Sequence, residues 1–246
     1  MLAARAWPAP HVRELDGWLV RSAGGVTGRA NSVLAECAPT DVHAAVQEVE
    51  RHYRRLGLAS TFQISSDSKP AELDELLAER GYRVVTPTGL LTATIVDTLP
   101  RMPRPEGVVV KDEPTEAWLD LHWEDSGRTT PATRFITQQI LTGVPAGYAW
   151  LDGRSIGRGA LVDDWVGIYA LYVAPEARGR GLARMTLSGL LRWAADRGAT
   201  RAFLQVLESN AVAKRLYASA GFTEAAHYHY RVLDQAEQER FAGTSQ

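Results

Sequence analysis

The sequence lacks several features that would assign a protein to a class at once. A single cysteine, Cys37, excludes an internal disulfide and any metal site built on several thiolates. No apolar run approaches the roughly 18 residues of a membrane span, and MLAARAWPAP has no signal-peptide core before its prolines. Lysine and arginine number 27 against 29 acidic residues, so no net basic field favours nucleic acid. These absences predict a soluble, cytoplasmic protein without nucleic-acid or membrane partners.

Three motifs that bind nucleotides or carry a nucleophile are also missing. The chain contains no Gly-Lys-Ser/Thr of a Walker loop. A dinucleotide fingerprint fails because Arg184 stands where a third small residue is needed after Gly179 and Gly181. No Gly-x-Ser-x-Gly elbow is present either. These absences exclude three common classes of enzyme.

The N-terminal part of the chain predicts a sheet with two helices. GWLVRS and RANSVLA, separated by the glycine-rich AGGVTG, are typical of a β-hairpin. We expect Thr40 to cap a helix from Asp41 to Leu56. After strand STFQIS, we expect Pro70 to open a second helix that Gly81 ends, followed by two strands, YRVV and GLLTATIV.

The segment DTLPRMPRPEG carries three prolines and predicts a linker near Pro100 to Gly107. We therefore divide the chain into residues 1–103 and 104–246. The second half is expected to begin with strand VVVKDE, helix TEAWLDLHWED and a short helix near Arg134 to Leu141. Three strands follow, and a helix, a strand, a helix and a strand complete it.

The closing segments of the two halves are alike when LLAERGY is laid on LYASAGF. An old internal duplication explains this likeness, and so does the shared turn chemistry of a strand, a helix and a Gly-capped hairpin. Both explanations stay open, and both leave two halves.

The most informative stretch is LYVAPEARGRGLARMTLSGLLRWAADRG, in which a strand ends at Val173 and a basic, glycine-rich turn opens a long helix. The first N–H groups of a helix lack intrahelical partners and carry partial positive charge, so they bind anions. Gly179 and Gly181 allow the backbone to approach a phosphate, and arginines surround them. The pattern predicts a pyrophosphate site.

Two motifs in this half resemble those of the GNAT superfamily of N-acetyltransferases. Arg178 to Ala183, Arg-Gly-Arg-Gly-Leu-Ala, resembles the signature Gln/Arg-x-x-Gly-x-Gly/Ala that follows a strand ending Val-x-Pro. Asn210 to Phe222 resembles the segment Asn-x-x-Ala-x-x-x-Tyr-x-x-x-Gly-Phe. At 3.6 residues per turn, Asn210, Ala213 and Tyr217 fall on one face of a helix.

The resemblance implies a role for each matching residue. Tyr217 would protonate the leaving CoA thiolate, since a phenol with a pKa near ~10 suits a thiol of comparable acidity. The residues expected to bind the cofactor are Leu171, Tyr172, Val173, Arg178, Gly179, Arg180, Gly181, Leu182, Ala183, Arg184 and Asn210. In the aligned first half, Leu77 replaces Tyr217 and Pro70 replaces Asn210, so that half is not expected to bind CoA.

The resemblance also implies the fold and the reaction. We expect an α/β (α+β) protein of two tandem GNAT-like halves, each a mixed, mostly antiparallel sheet flanked by helices. It would transfer an acetyl group from acetyl-CoA, without a metal, to a small amine, an amino acid, or a protein N-terminus or lysine. The alternative is a catalytically weak acyl-CoA-binding sensor or interaction protein. A homodimer is kept open.

The general base is the weakest part of the prediction. The strand VGIYALYV has no carboxylate, and Gln205 stands where some relatives carry glutamate. A water relay is one alternative, and the side chains that remain candidates are Glu208, Asp163, Asp164 and Glu124. His122 and Asp125, one helical turn apart, mark an expected acceptor region. His227 and His229 share a strand face without a third metal ligand of suitable spacing.

The first half carries a polar hairpin that resembles two-part bacterial GNAT proteins, some of them labelled N-acetylglutamate-synthase-like. Its residues are Trp18, Arg21, Thr27, Arg29, Asn31 and Ser32. They would line an acceptor pocket, form a hydrogen-bond network or face solvent.

Overall fold

A computed structural model describes residues 2–128 and 130–234. The chain divides into two compact units, which we call unit 1 (Met1–Pro8 and Gly89–Ala225) and unit 2 (Ala9–Thr88 and Ala226–Gln246). Each unit therefore takes segments from two separate parts of the sequence, whereas the sequence analysis expects a single division between residues 103 and 104.

Unit 2 is built on a mixed sheet with strand order β1-β2-β3-β4-β11. β3 and β4 are parallel, and the other pairs are antiparallel. The strands are β1 (His11–Leu15), β2 (Trp18–Ser22), β3 (Val33–Ala35), β4 (Ser60–Ser65), the start of β5 (Arg83–Thr94) and most of β11 (Thr223–Leu233). The helices are α2 (Val42–Arg55), α3 (Leu73–Glu79) and a 3₁₀ turn, Gly28–Ala30.

The helix α2 packs its apolar face on this sheet. Val46, Val49 and Tyr53 are fully buried in one cluster with Trp18 and Phe62. The Tyr53 hydroxyl donates to the main-chain oxygen of Arg21 at 2.7 Å, so the buried ring also has its polar atom hydrogen-bonded. The predicted hairpin is confirmed by the pairing of β2 with β3.

Three boundaries in unit 2 differ from those predicted. The α2 cap is Asp41, whose side chain accepts from the Ala44 N–H, and the Thr40 N–H instead donates to Asp16. The second helix begins at Leu73, three residues after Pro70. The two strands expected after Gly81 are one strand, β5, which continues through Pro87. Thr86, the residue before this proline, has φ +49°, so the strand is irregular at this point, and irregular strand positions such as bulges accept proline.

Within unit 1 the strand order of the mixed sheet is β5-β10-β9-β8-β7-β6. Its strands are the end of β5, β6 (Val109–Lys111), β7 (Ala146–Leu151), β8 (Ser155–Val162), β9 (Trp165–Val173), β10 (Arg201–Leu207) and the start of β11. Its helices are α1 (Leu2–Ala6), α4 (Ile95–Thr98), α5 (Glu116–Ser126), α6 (Pro131–Thr142), α7 (Leu182–Ala195), α8 (Ala211–Ala220) and 3₁₀ turns at Leu99–Arg101 and Pro175–Ala177. Mixed sheets flanked by helices confirm the predicted α/β class.

The helix α7 lies against a strip of glycines on one face of this sheet. A Cβ at Gly147 would stand 2.6 Å from the Trp193 ring, and one at Gly157 would stand 3.0 Å from Leu190. Only glycine permits so close an approach of helix and sheet. This close packing fixes α7 against β7 and β8.

The opposite face of the sheet carries a buried arginine. Arg158 of β8 is fully buried and donates to the main-chain oxygens of Leu141 and Ala6. Its guanidinium also stacks near the rings of Trp7 and Tyr169. The N-terminal segment is thereby fixed to unit 1, although nothing in the sequence analysis predicted this.

Candidate active site

The site begins where two parallel strands of unit 1 separate. The ladder between β9 and β10 joins Trp165–Ile168 to Arg201–Leu204 and ends there, although β9 continues to Val173. Main-chain groups on that side of β9 are consequently left without a strand partner. An extended ligand can lie along this edge and take their hydrogen bonds.

A bulge interrupts β9 at the same level. Arg158 of β8 pairs with Tyr169 and Ile156 pairs with Tyr172, so Ala170 and Leu171 both lie opposite Gly157. Ala170 has φ +49°, a left-handed conformation that a side chain rarely adopts. Such bulges redirect main-chain groups away from the ladder and are frequent beside active sites.

The basic turn after β9 forms an uncapped helix start, as the sequence predicts. Gly179 and Gly181 both have φ +77°, and nothing lies within 4 Å of a Cβ built on either. Gly181 is the N-cap of α7, so no side chain satisfies the first N–H groups, those of Leu182 and Ala183 among them. These donors and the helix dipole are suited to an anion.

The three arginines of this turn have different partners. Arg178 donates to the Val173 oxygen at 3.2 Å. Arg184 donates to the Arg101 oxygen at 2.6 Å and to the Ser219 hydroxyl, so it ties α7 to α8. Arg180 is exposed, and no hydrogen bond or ion pair joins it to any residue that the structure describes. Arg180 is therefore the arginine with most freedom to contact a ligand.

The helix α8 carries the other two residues of the predicted site. The Asn210 side chain caps α8 by accepting from the Ala213 N–H at 3.0 Å, which leaves its amide donors for other partners. Tyr217 is 9 % exposed and packs in the core with Phe222. Burial raises the pKa of the Tyr217 phenol to about 12. The phenol stays protonated at neutral pH but is a weaker acid than the sequence analysis assumed.

The C-terminal end of α5 brings acidic charge to the end of β9. Tyr172 is half-buried, and its pKa is raised by burial first and then by the charges of Asp125 and Glu124. The charge of Arg178 acts to lower the pKa of both Tyr172 and Asp125, so the basic turn lies within electrostatic reach of the acidic end of α5. A cationic group approaching β9 from this side would be attracted.

Two of the candidate bases are occupied elsewhere. Asp163 forms a bidentate pair with Arg5, and Asp164 pairs with Arg201 and Thr200. These contacts hold the pKa of both carboxyls below the usual range. Both lie in the β8–β9 turn, at the opposite end of β9 from the basic turn. Glu124 and Glu208 remain exposed near the other end of the sheet.

His122 on α5 is buried without hydrogen-bond partners. It is 5 % exposed and stacks on Trp118, and neither ring nitrogen bonds to a described residue. Burial, with the charges of Arg128 and Arg158, lowers its pKa to about 4. His122 is therefore neutral at pH 7 and too weakly basic to hold a proton there.

The histidine pair on β11 has a structural partner. His229 hydrogen-bonds to Asp74 at 2.9 Å, beside the ion pair that Arg231 makes with the same carboxylate. Within residues 2–128 and 130–234, no group of three His, Cys, Asp or Glu side chains is arranged to hold a metal ion. In the same residues, every helix is too short or too polar to cross a membrane.

Comparison with known proteins identifies the family. A family model described as "Probable histone acetyltransferase Rv0428c C-terminal" matches residues 1–233. The chain belongs to this family of GNAT-type N-acetyltransferases. Members of this superfamily use acetyl-CoA as the acetyl donor. The predicted resemblance to GNAT proteins is confirmed, while the N-acetylglutamate-synthase-like label is not.

Relatives of this N-acetyltransferase match it over nearly the whole chain. "Uncharacterized N-acetyltransferase YobR" of Bacillus subtilis is 32 % identical over 94 % of this chain and 96 % of its own. "Probable histone acetyltransferase Rv0428c" of Mycobacterium tuberculosis is 30 % identical over 94 % of this chain and 71 % of its own. The structure of a GCN5-related N-acetyltransferase from Kribbella flavida shares the fold, with a TM-score of 0.64 and 17 % identity over 93 % of this chain and 91 % of its own.

The sequence analysis did not predict the bulge at Ala170. The only sequence signal there is the small residue between Tyr169 and Leu171, and alanine is common in regular strands. The separation of β9 from β10 was also missed, because the hydrophobic pattern of each strand continues past the last paired residue.

Proposed function

We propose that this N-acetyltransferase binds acetyl-CoA in the gap between β9 and β10 and transfers the acetyl group directly to a primary amine. The pyrophosphate would contact the uncapped start of α7 and Arg180, and the pantetheine arm would run beside Leu171 to Val173. The main support for the proposal is the uncapped N-terminus of α7 at Gly181. This helix follows β9, the strand that separates from β10.

In the proposed reaction, the amine nitrogen attacks the thioester carbonyl carbon and the carbon–sulfur bond then breaks. The main-chain N–H groups at the Ala170–Leu171 bulge would stabilise the negative charge on the carbonyl oxygen. Tyr217 would donate its proton to the departing sulfur, for which its protonated state at neutral pH is required. The proton lost by the amine would pass to water, with Glu124 or Glu208 at the exposed end of the relay.

The acceptor class follows from charge near the end of β9. Glu124 and Asp125 favour a cationic amine over a neutral or anionic group at this position. A small amine, an amino acid, and a protein N-terminus or lysine all meet this requirement. The relative named a probable histone acetyltransferase makes lysine peptides one arm of the substrate panel.

Titration calorimetry with acetyl-CoA tests the cofactor assignment. We expect micromolar binding to the unaltered chain and a large loss in Arg180→Glu. Arg192→Glu is the matched control, because it makes the same charge change on the exposed surface of α7, away from the helix start. Equal binding by both variants would contradict the proposed pyrophosphate site.

A second candidate is an acyl-CoA-binding protein with little turnover, which the absence of a carboxylate on β9 favours. Release of free thiol from acetyl-CoA, measured across a panel of small amines, amino acids and lysine peptides, separates the two. Acetyl-CoA binding without thiol release for any acceptor would favour the sensor over the enzyme.

A further inference from the structure

A polar row crosses the sheet of unit 2, on residues that the acetyl-transfer site does not use. The pairing of Val20 with Val33 sets Arg21 beside Ser32, and Tyr230 pairs with Gln63. Arg21 Nε donates to the Ser32 oxygen at 2.9 Å, and Nη2 donates to Ser32 Oγ at 2.7 Å and to Gln63 Oε1 at 3.0 Å. The row Arg21, Ser32, Gln63 and Tyr230 therefore joins four neighbouring strand positions.

Arg21 is a buried cation that has only neutral partners. It is 4 % exposed, and no carboxylate of the described residues lies within ion-pair distance of it. Burial lowers its pKa, and the one carboxylate that acts on it, the exposed Glu36, has the smallest effect. A buried charge without an opposite charge is costly, by several kcal/mol for each ion. An arginine kept in this state is suited to receive an anion.

One edge of the guanidinium remains open. Two of its three nitrogens make the hydrogen bonds above, whereas Nη1 donates to no described residue and is not sealed from solvent. Tyr228 and Tyr230 lie within electrostatic reach of Arg21, with their rings in edge-to-face contact at 5.5 Å. Arg29 acts on Tyr230 in the same way. Two phenols therefore lie near Arg21.

We propose that unit 2 binds a small carboxylate through Arg21 Nη1, with Tyr228 and Tyr230 as further donors. A carboxylate is the preferred anion because it is planar and carries one charge, which matches one open guanidinium edge. The proposed ligand is a separate small carboxylate effector of unit 2. The proposed carboxylate site and the proposed acetyl-CoA site use different residues. An experiment can therefore contradict one of them without contradicting the other.

Calorimetry and thermal unfolding of the full chain test the site with propionate, succinate and alanine. Their amides, propionamide, succinamide and alaninamide, are the counterparts that lack a carboxylate. We expect the acids to bind and to raise the unfolding temperature, and the amides to do neither. Failure of all three acids to bind would overturn the proposal, and so would tighter binding of inorganic phosphate.

Gln63→Glu tests the role of Arg21 most directly, because it places a carboxylate of the same shape as the amide 3.0 Å from Arg21 Nη2. This internal anion should raise the unfolding temperature and weaken carboxylate binding by about ten-fold or more, since it occupies the same cation. Gln47→Glu on the exposed face of α2 adds the same charge in unit 2 and should change neither quantity. Equal carboxylate binding by the two variants would overturn the proposal.

Discussion

The ring of Tyr217 meets the ring of Phe222 at an angle of 60°, with the centroids 5.9 Å apart. Phenylalanine at position 217 would preserve this contact and remove only the hydroxyl. We expect Tyr217→Phe to lower kcat by about 100-fold or more, because general acid catalysis typically contributes that much. The Kd for acetyl-CoA should not change.

Tyr82→Phe is the matched control for this variant. Tyr82 is also buried, but its hydroxyl bonds to Ser60 and Glu50 in unit 2. Its loss should reduce the free energy of unfolding by about 1 kcal/mol and leave kcat unchanged. Unchanged thiol release in Tyr217→Phe, with an acceptor that the enzyme uses, would remove Tyr217 from its assigned role.

A second prediction compares two glycines of the same backbone conformation. Gly181 has φ +77° and Gly198 has φ +87°, and both have open space where a Cβ would stand. Alanine should cost each about 1 kcal/mol of stability through backbone strain alone. Gly181→Ala should also weaken acetyl-CoA binding by about ten-fold or more, because its methyl group would stand at the helix start that we propose binds the phosphates.

Thermal unfolding and calorimetry on the two variants measure both effects. Gly198→Ala, at the far end of α7, should lose stability and keep its affinity. A Gly181→Ala protein that binds acetyl-CoA as well as Gly198→Ala does would show that the turn is structural.

The third prediction concerns pH and the buried His122. Its pKa falls from 6.5 to about 4 on folding, so the unfolded state binds the proton more tightly. The free energy of unfolding is therefore unaffected by protonation of His122 well above pH 6.5, where the ring is neutral in both states. It falls by up to about 3 kcal/mol as the pH falls toward 4. His122→Phe should flatten this part of the curve of unfolding free energy against pH.

Urea unfolding between pH 4 and pH 7 measures this difference directly. His52 also has a lowered pKa and contributes in the same direction in both proteins, so only the difference between the two curves reports on His122. At pH 7 the variant should be as stable as the parent or more so, because two unsatisfied ring nitrogens are removed. Parallel curves would refute the prediction.

The fourth prediction tests the acidic end of α5. Glu124→Gln should raise the KM for a cationic amine several-fold at low salt, and the difference should shrink as salt rises, since exposed charges are screened. Asp163→Asn removes an equal charge but breaks only the pair with Arg5, so its KM should stay the same. Equal KM changes in the two variants would mean that net charge alone is responsible.

The sequence predicts local structure well where residues close together along the chain determine it. The free N–H groups after Gly181 and the helical position of Tyr217 follow from spacing along one segment, whereas the capping role of Asn210 was not predicted. The cap of α2 was misplaced by one residue because Thr40 and Asp41 are both good caps, and contact with Asp16 decides between them.

Features that join distant segments were not predictable from a single sequence. The bond from Arg158 to Ala6 spans 152 positions, and no pattern along the chain records it. The same holds for the pair of Arg184 with Ser219, since both residues are common on helix surfaces. Burial also changes the acidity of side chains in a way that the sequence alone does not give. It raises the pKa of Tyr217 and lowers that of His122.

The pairing of β4 with β11 has a consequence for synthesis of the chain. Ser60 pairs with Leu233, so the sheet of unit 2 cannot be completed until residues near position 233 leave the ribosome. At about 5–20 residues per second, this delay is on the order of 10 s. During that time one edge of β4 has no partner and can pair with other chains. Nascent chains should therefore depend on chaperones until their C-terminal strand is made.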